Sequence, residues 1–314
     1  MEQVERLKKY LLTVHPVRKT AGQKAEFRKW LLGELKRSGW KACEESYGRF
    51  NGSVNVVAGD PDRARVFLCA HYDTATRSLF PNFVSPTNVA AHVAYHLAAA
   101  VFLAALAFVA SLAVSFPLNK PELMLPLFLI LAVATLWVLA YGPACQNNAN
   151  SNTSGVLALL RTAKAIRHDN RVCLVFFDNH NRNFLGASAF RKKRFDQTDG
   201  ALFINFDCVG DGEHLLLMPS KQSRWDAELL EAVQAAFEDT EAVHPRLLDK
   251  GLQYYPSDHR RFKQNLAVCA CRHLAGLGYY IPWLGTRRDV TLREENIAYI
   301  AQGMARFLPL YLEK

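Results

Sequence analysis

The stretch Leu97–Phe116, LAAAVFLAALAFVASLAVSF, contains twenty residues and no charge. A second stretch, Leu123–Tyr141 (LMLPLFLILAVATLWVLAY), follows after the short turn 117–122 and contains nineteen uncharged residues. A segment of about 20 apolar residues can cross a bilayer core of roughly 30 Å. The two stretches therefore predict a transmembrane hairpin, which we place at residues 89–143.

A pair of helices buried in a soluble core is the alternative interpretation of these stretches. Core helices are rarely apolar on all sides over such a length. Tyr95, Trp137 and Tyr141 also fall near the ends of the two stretches, where aromatic rings of membrane proteins favour the interface. We therefore expect the hairpin to lie in the lipid bilayer.

The hairpin divides the rest of the chain into residues 1–88 and 144–314, which we predict to be two parts of one α/β domain. The N-terminal segment is polar and amphipathic, without the apolar core of a signal sequence. We therefore expect a protein of the cell membrane with two spans and a cytoplasmic globular domain.

Composition restricts the partners of the chain. The net charge of +9 is concentrated in short Lys/Arg clusters, which are typical of solvated faces or of surfaces near anionic lipid. No recognition motif accompanies them, so we expect no nucleic acid partner. The seven cysteines include no Cys-x-x-Cys pair, which fits free thiols in a reducing compartment.

Short apolar runs alternate with amphipathic helical patterns in the globular part. This alternation predicts an α/β fold, a three-layer sandwich with a mostly parallel mixed sheet. The predicted strands include 53–58, 65–70, 171–177, 201–206, 214–218 and 266–271, and the predicted helices include 22–38, 184–191, 225–237 and 294–312.

Polar residues follow three of the predicted buried strands. His71 and Asp73 follow the first, Asp178 and His180 the second, and Asp207 the third. Ligand sites in such sheets lie beyond the carboxyl ends of the strands. The sequence therefore predicts a site at this edge, although each residue taken alone is also typical of a turn or a helix cap.

Seven short motifs, in this order along the chain, resemble the zinc aminopeptidases of metallopeptidase clan MH, family twenty-eight. They are Asn55-Val-Val-Ala58, Ala70-His-Tyr-Asp-Thr74, Ser151-Asn-Thr-Ser-Gly-Val156, Val175-Phe-Phe-Asp-Asn179, Phe184-Leu-Gly-Ala-Ser-Ala-Phe190, Ile204-Asn-Phe-Asp207 and Ser257-Asp-His-Arg-Arg-Phe262. The resemblance implies the zinc-peptidase fold and two zinc ions that activate a water for attack on a peptide carbonyl.

The resemblance also assigns individual residues. It makes His71 and Asp207 zinc ligands, and Asp73 the acid that orients His71. The family's other site positions are replaced: Ser151 stands for the bridging Asp, His180 for the general-base Glu, Asn181 for a ligand Glu, and Gly285 for the final ligand His. Asp258 and His259 match a stretch near the site.

Charge argues against a two-zinc site. Two ions bring +4, whereas Asp207 offers −1 and His71 is neutral. Uncompensated charge in a desolvated pocket is very costly. Peptide hydrolysis by the family mechanism is therefore not expected.

Three functions remain open on the sequence. The first is a pseudo-peptidase that binds a peptide, a lipid head group or another membrane protein without cofactor. The second is a hydrolase with a reworked site, in which His71, His180 and Asp207 hold one zinc ion at most, or His180 acts as a base. The third is a metal-free cysteine hydrolase that uses Cys208 or Cys145.

Asp258 and His259 allow two interpretations. They shape the pocket in any of the three functions, and Arg260 and Arg261 beside them suggest an anionic ligand. Alternatively, the stretch is only a helix N-terminus capped by Ser257.

Overall fold

A computed structural model describes residues 2–48 and 52–313. Within these residues, a mixed sheet of nine strands forms the centre of the molecule. The strands are β1 Ala42–Tyr47, β2 Ser53–Ala58, β3 Val66–His71, β4 Val172–Phe177, β5 Leu202–Phe206, β6 His214–Pro219, β7 His244–Leu247, β8 Asn265–Leu274 and β9 Gly278–Tyr280. The helices are α1 Glu2–Thr13, α2 Ala21–Arg37, α3 Val89–Ser115, α4 Met124–Tyr141, α5 Ser154–Ala165, α6 Leu185–Lys193, α7 Phe195–Thr198, α8 Ala227–Ala236 and α9 Glu294–Leu312.

The sheet has the order β1-β2-β4-β3-β5-β8-β6-β7, with β9 on β8. Strands β4, β3, β5 and β8 run parallel to their neighbours in this central group, whereas β1, β2 and β6 add antiparallel pairs. This confirms the predicted α/β fold with a mostly parallel mixed sheet. The bounds of the apolar runs predicted as strands differ from the observed bounds by at most three residues.

Strand β3 shows why the sheet is covered on both faces. All six of its residues are buried, as expected for a strand of a parallel sheet with helices on both sides. Leu68 packs into the core formed with α2, α5 and α9. Phe67 points to the other face, where its ring stacks on Phe203 with centroids 4.5 Å apart.

The carboxyl ends of β4, β3 and β5 lie side by side at one edge of the sheet. They run parallel, with Ala70 opposite Phe176 in β4 and Cys69 opposite Asn205 in β5. This edge is where the polar residues after the three strands come together.

Helices α3 and α4 pack against each other outside the α/β core. Only 11% and 0% of the most apolar segment of each helix is buried. Both helices carry apolar side chains on all sides, and these side chains are therefore largely exposed. Both are long and apolar enough to cross a membrane. Helix α3 begins at Val89, eight residues before the apolar run, because Asn88 caps it by accepting a hydrogen bond from the Ala91 amide.

Arg18 is a structural residue that the sequence patterns do not reveal. Its side chain is fully buried and donates hydrogen bonds to the carbonyls of Tyr72 and His15 and to Oγ1 of Thr153, at 2.7, 3.0 and 2.9 Å. Burial lowers the pKa of Arg18 to about 10, opposed by Asp73, so the guanidinium stays charged at neutral pH. It joins the N-terminal loop to the segment after β3 and to the turn before α5.

The first prediction concerns Arg18→Met. Each buried acceptor left without a donor costs about 1–3 kcal/mol, so we expect a loss of about 3 kcal/mol in the free energy of unfolding. In a domain of this size this corresponds to a melting temperature lower by roughly 5–10 °C. Thermal unfolding of the detergent-solubilised chain measures it, with the exposed Arg167→Met as matched control. Equal melting of the two variants would contradict the assigned role.

Candidate metal centre

His71, at the end of β3, lies between two carboxylates. Its Nδ1 is 3.4 Å from Oδ1 of Asp73, and its Nε2 is 3.5 Å from Oδ1 of Asp207. All three side chains are almost fully buried. Burial opposes protonation of His71, but the interactions with Asp207 and Asp73 outweigh it and raise its pKa to about 10.

The pKa values of the two carboxylates shift in the opposite direction from that of His71. Burial favours their neutral forms, yet the interaction with His71 outweighs it and lowers the pKa of both Asp73 and Asp207. Ser257 contributes to this for Asp207 by donating a hydrogen bond from its hydroxyl to Oδ2 at 2.6 Å. Both carboxylates are therefore ionised around an imidazolium when no other cation is present.

His180, after β4, points into the same site. Its ring stacks on that of His71 with centroids 3.8 Å apart and an interplanar angle of 12°. Nδ1 of His180 is 2.6 Å from Oδ2 of the fully buried Asp258, which leaves Nε2 available to a ligand. The backbone amide of His180 donates to Oδ1 of Asp73 at 2.9 Å, so the loop after β4 is fixed to the segment after β3.

Ligand atoms of His71, His180 and Asp207 lie within 4.8 Å of one another. Two imidazoles and one carboxylate suffice for a zinc ion that keeps one open position. Each histidine also has a carboxylate on its other nitrogen, Asp73 for His71 and Asp258 for His180. This is the arrangement that orients metal-binding histidines in proteins, so the donor set fits one divalent ion.

The backbone around the metal centre adopts uncommon conformations. Asn179, directly before His180, has φ 54°, and Cys208, directly after Asp207, has φ 53°. Non-glycine residues in this region are uncommon and concentrate at functional sites. A single π-helical turn, Ala149–Thr153, also borders the site, and such turns are frequent at functional sites.

The replaced family positions surround the three possible ligands. Ser151, Asn181 and Gly285 line one cavity of about 580 Å³ together with His71, His180 and Asp207. Asn181 donates its side-chain amide to Oδ2 of Asp73 at 3.1 Å, so it supports the site instead of offering a charge.

The stretch Asp258-His259 lies behind the site. Burial lowers the pKa of His259 to about 3, and its neutral ring stacks on Tyr255 with centroids 5.9 Å apart. Ser257 stands at the N-cap position of a short turn, but its hydroxyl bonds Asp207 instead of capping the turn. The helix-cap interpretation of this stretch is therefore wrong for the side chain of Ser257.

The cysteine alternative finds no support in the geometry. Cys208 lines the cavity, but burial and Asp207 raise the pKa of its thiol well above the usual value, and the thiol donates to Oδ1 of Asp207 at 3.2 Å. Burial also raises the pKa of Cys145. A reactive cysteine needs a stabilised thiolate, which neither position provides.

Asp289 is a further residue that sequence reasoning did not assign. Its carboxylate accepts hydrogen bonds from the backbone amides of Asn150 and Ser151 at 2.7 and 3.2 Å and thereby holds the π-helical turn beside the cavity. Burial outweighs these bonds and raises the pKa of Asp289 to about 7. The folded chain therefore binds a proton that the unfolded chain has lost above its ordinary pKa of about 4.

The second prediction concerns the pH dependence produced by Asp289. Because its folded-state pKa is raised, its contribution to stability is largest below pH 4 and is lost as the pH rises to 7. Each pKa unit is worth about 1.4 kcal/mol, so wild type should lose a few kcal/mol relative to Asp289→Asn over this range. Thermal unfolding of both proteins between pH 4 and 8 measures the difference. A difference that does not change with pH would contradict the prediction.

Comparison with known proteins shows which folds this chain is similar to. Residues 137–289 match the model of peptidase family M28. No curated protein sequence matches the chain. Several solved structures resemble it over almost its whole length.

Three of these structures illustrate the resemblance. The LapA aminopeptidase of Legionella pneumophila is 11% identical, with a TM-score of 0.61 over 100% of this chain and 70% of that one. A Zn-dependent exopeptidase from Parabacteroides distasonis is 18% identical, with a TM-score of 0.59 over 98% and 97%. The glutaminyl cyclase of Porphyromonas gingivalis is 15% identical, with a TM-score of 0.58 over 97% and 94%.

At these identities the likeness establishes the fold. Together with the match to the family model, it confirms the resemblance to the zinc peptidases of family M28. Residues 137–289 thus match peptidase family M28, and the globular part has a fold similar to that of a Zn-dependent exopeptidase.

Proposed function

We propose that this protein is a membrane-anchored hydrolase of the M28 type with a reworked site that holds a single divalent metal ion. His71, His180 and Asp207 are its ligands. The observation that carries the proposal is the position of His180: it stands where the family has its general base, yet it points into the cavity beside His71 and has a buried carboxylate on its far nitrogen.

Charge supports one ion and opposes two. Asp207 would contact the ion, and Asp73 and Asp258 lie directly behind the two imidazoles, so an ion of charge +2 is balanced within the site. A second ion would face Ser151, Asn181 and Gly285, which bring no charge. Buried charge without compensation is very costly.

A bound zinc ion supplies a water of lowered pKa and polarises a carbonyl. The chain supplies the rest of the site. The carboxylates keep both imidazoles oriented, and Ser257 and Tyr255 fix Asp207 through its Oδ2 and its carbonyl oxygen. The reaction class is hydrolysis of an amide or ester: the carbon–nitrogen or carbon–oxygen bond breaks, water provides the new carbon–oxygen bond, and its proton goes to the leaving group.

A pseudo-peptidase that only binds is the second candidate. It is favoured by the imidazolium form of His71, which compensates part of the charge of Asp73 and Asp207 without any metal. It is also favoured by the cavity lining, where the general-base Glu of the family is replaced by His180. Metal content separates the two candidates.

The hairpin is the proposed membrane anchor. Helices α3 and α4 expose large apolar side chains such as Val101, Leu106, Ile130 and Leu136, each more than half exposed, and a continuous apolar surface of this kind requires lipid or a partner. All seven cysteines are free, which fits a reducing compartment, and we propose that the globular domain faces the cytoplasm at the cell membrane. Its partners would then be the bilayer and a peptide, a lipid or another membrane protein.

The third prediction concerns metal content. Purified protein loaded with zinc and then desalted should retain one ion per chain by plasma mass spectrometry. His180→Ala should retain less than a tenth of that, because only two ligands remain, while the exposed His168→Ala should behave as wild type. Two ions per chain would contradict the single-metal site, and none would leave the pseudo-peptidase as the function.

The fourth prediction concerns Asp258→Asn. Loss of a carboxylate behind a metal-binding histidine lowers metal affinity by about 10–100-fold. We therefore expect the zinc dissociation constant to rise by that factor, measured by competition with a fluorescent chelator. The exposed Asp196→Asn is the control. An unchanged constant would mean that His180 is not a ligand.

A further inference from the structure

The cavity at the metal centre has two arms of different character. Its polar arm is lined by His71, His180 and Asp207. Its apolar arm continues between the two hairpin helices, from Ala99 on α3 and Ala140 on α4. One continuous space of about 580 Å³ therefore joins the proposed site of chemistry to the interior of the hairpin.

Small side chains form the apolar arm. Ala99, Ala100 and Ala104 on α3 line the cavity together with Ala132 and Ala140 on α4, and so leave a cleft that larger side chains would fill. From Tyr95 to Ala104 the cleft follows α3 for about 13 Å, at 1.5 Å per residue.

Aromatic rings lie beyond the far end of the cleft. One turn beyond Ala104 on α3 and Ala132 on α4, the rings of Phe108 and Phe128 meet edge to face with centroids 6.3 Å apart. The described lining of the cavity ends before these rings, while Ala100 and Ala104 remain exposed, so a chain can enter the cleft from the lipid side.

Contacts with the globular domain fix the base of the hairpin. Lys19 donates from Nζ to the carbonyl of Gly142 at 2.7 Å, and Thr76 donates to the carbonyl of Ala140 at 3.0 Å. On α3, the hydroxyl of Tyr95 donates to the carbonyl of Pro81 at 2.9 Å. The loop around Pro81 also lines the cavity, so the two arms are held in one fixed relation.

We propose that the ligand of this site is a single-chain membrane amphiphile, whose acyl chain lies in the cleft between α3 and α4 and whose amide- or ester-linked head lies at His71, His180 and Asp207. The identity of the cleaved bond rests on the proposed function. The position of the acyl chain rests on the shape and lining of the cavity alone.

The lining favours a hydrocarbon chain over a peptide. An extended peptide carries backbone N–H and C=O groups that need partners. The polar side chains of the apolar arm include Tyr95, His96 and Thr135. Each is already hydrogen-bonded to a backbone carbonyl, of Pro81, Phe83 and Leu131 respectively, at 2.9, 3.0 and 2.8 Å. A helical peptide satisfies its own backbone but is about 10–12 Å wide, too wide for a cleft between two helices in contact.

The polar arm favours a neutral head group. Asp73, Asp207 and Asp258 lie against the two imidazoles and balance the charge of one divalent ion, so these groups leave no positive charge to pair with an anionic head. A neutral fatty amide is therefore the simplest probe. Its hydrolysis would release a fatty acid and an amine.

A photo-crosslinking experiment tests the position of the chain. The full-length protein in lipid nanodiscs is labelled with N-palmitoylethanolamine that carries a diazirine in the middle of its acyl chain. Mass spectrometry should find adducts at 99–104 and 132–140, and excess N-palmitoylethanolamine should displace them at least tenfold better than N-acetylethanolamine. Adducts spread evenly over the lipid-facing positions, which excess N-palmitoylethanolamine does not displace, would overturn the proposal.

Two matched variants keep the test specific. Ala104→Trp fills the cleft and should reduce competed labelling at least tenfold, whereas Ala105→Trp, exposed and outside the cavity lining, should not. Both should melt like wild type and retain the same zinc content. Equal labelling of the two variants would contradict the position of the chain.

The outcomes also separate this inference from the proposed function. Competed labelling in a protein without metal supports the acyl-chain site and ends the single-metal hydrolase. One zinc ion per chain without competed labelling supports the metal site and ends the amphiphile. Palmitate release that requires zinc and is lost in Ala104→Trp supports both.

Discussion

The balance of buried charge at the carboxyl edge of the sheet governs the site. Asp73, Asp207 and Asp258 are each at most 4% exposed, and carboxylates removed from water need cations or hydrogen-bond donors. The chain meets this need with two imidazoles, with backbone amides from the loop after β4, and with the hydroxyl of Ser257. Two neutral ligands and one carboxylate, supported by two further carboxylates, suit one divalent ion and do not suit two.

The same constraint explains the differences from the family. The resemblance implies that Ser151, Asn181 and Gly285 stand where the family has a bridging acid and two other ligands, so that half of the site carries no charge, and in the proposed site His180 serves the other half. Arg18 lies beneath this arrangement, buried and bonded to the segment after β3, and its charge interacts with Asp73. The hairpin adds an apolar continuation to the cavity, so the proposed single-metal site would open onto the space between the two apolar helices.

The sequence predicts the fold well because its signals are local. The all-apolar runs of β3, β4 and β5 and the polar residues that follow them suffice to place a parallel sheet and its site edge. The hairpin helices also follow from composition, although the start of α3 depends on the cap at Asn88. The orientation of a side chain is not determined by its neighbours in the sequence. His180 points into the site because it bonds Asp258, which is 78 residues away. Arg18, Asp289 and the apolar arm likewise depend on long-range packing.

X-ray absorption at the zinc edge of the loaded, full-length protein tests the central claim most directly. The single-metal site predicts a first shell of nitrogen and oxygen at about 2.0–2.2 Å with the multiple scattering of two imidazoles. A zinc–zinc vector at about 3.5–4 Å would indicate the two-metal site of the family instead. A sulfur shell at about 2.3 Å would show that Cys208, not His180, binds the ion. Either result would contradict the site described above.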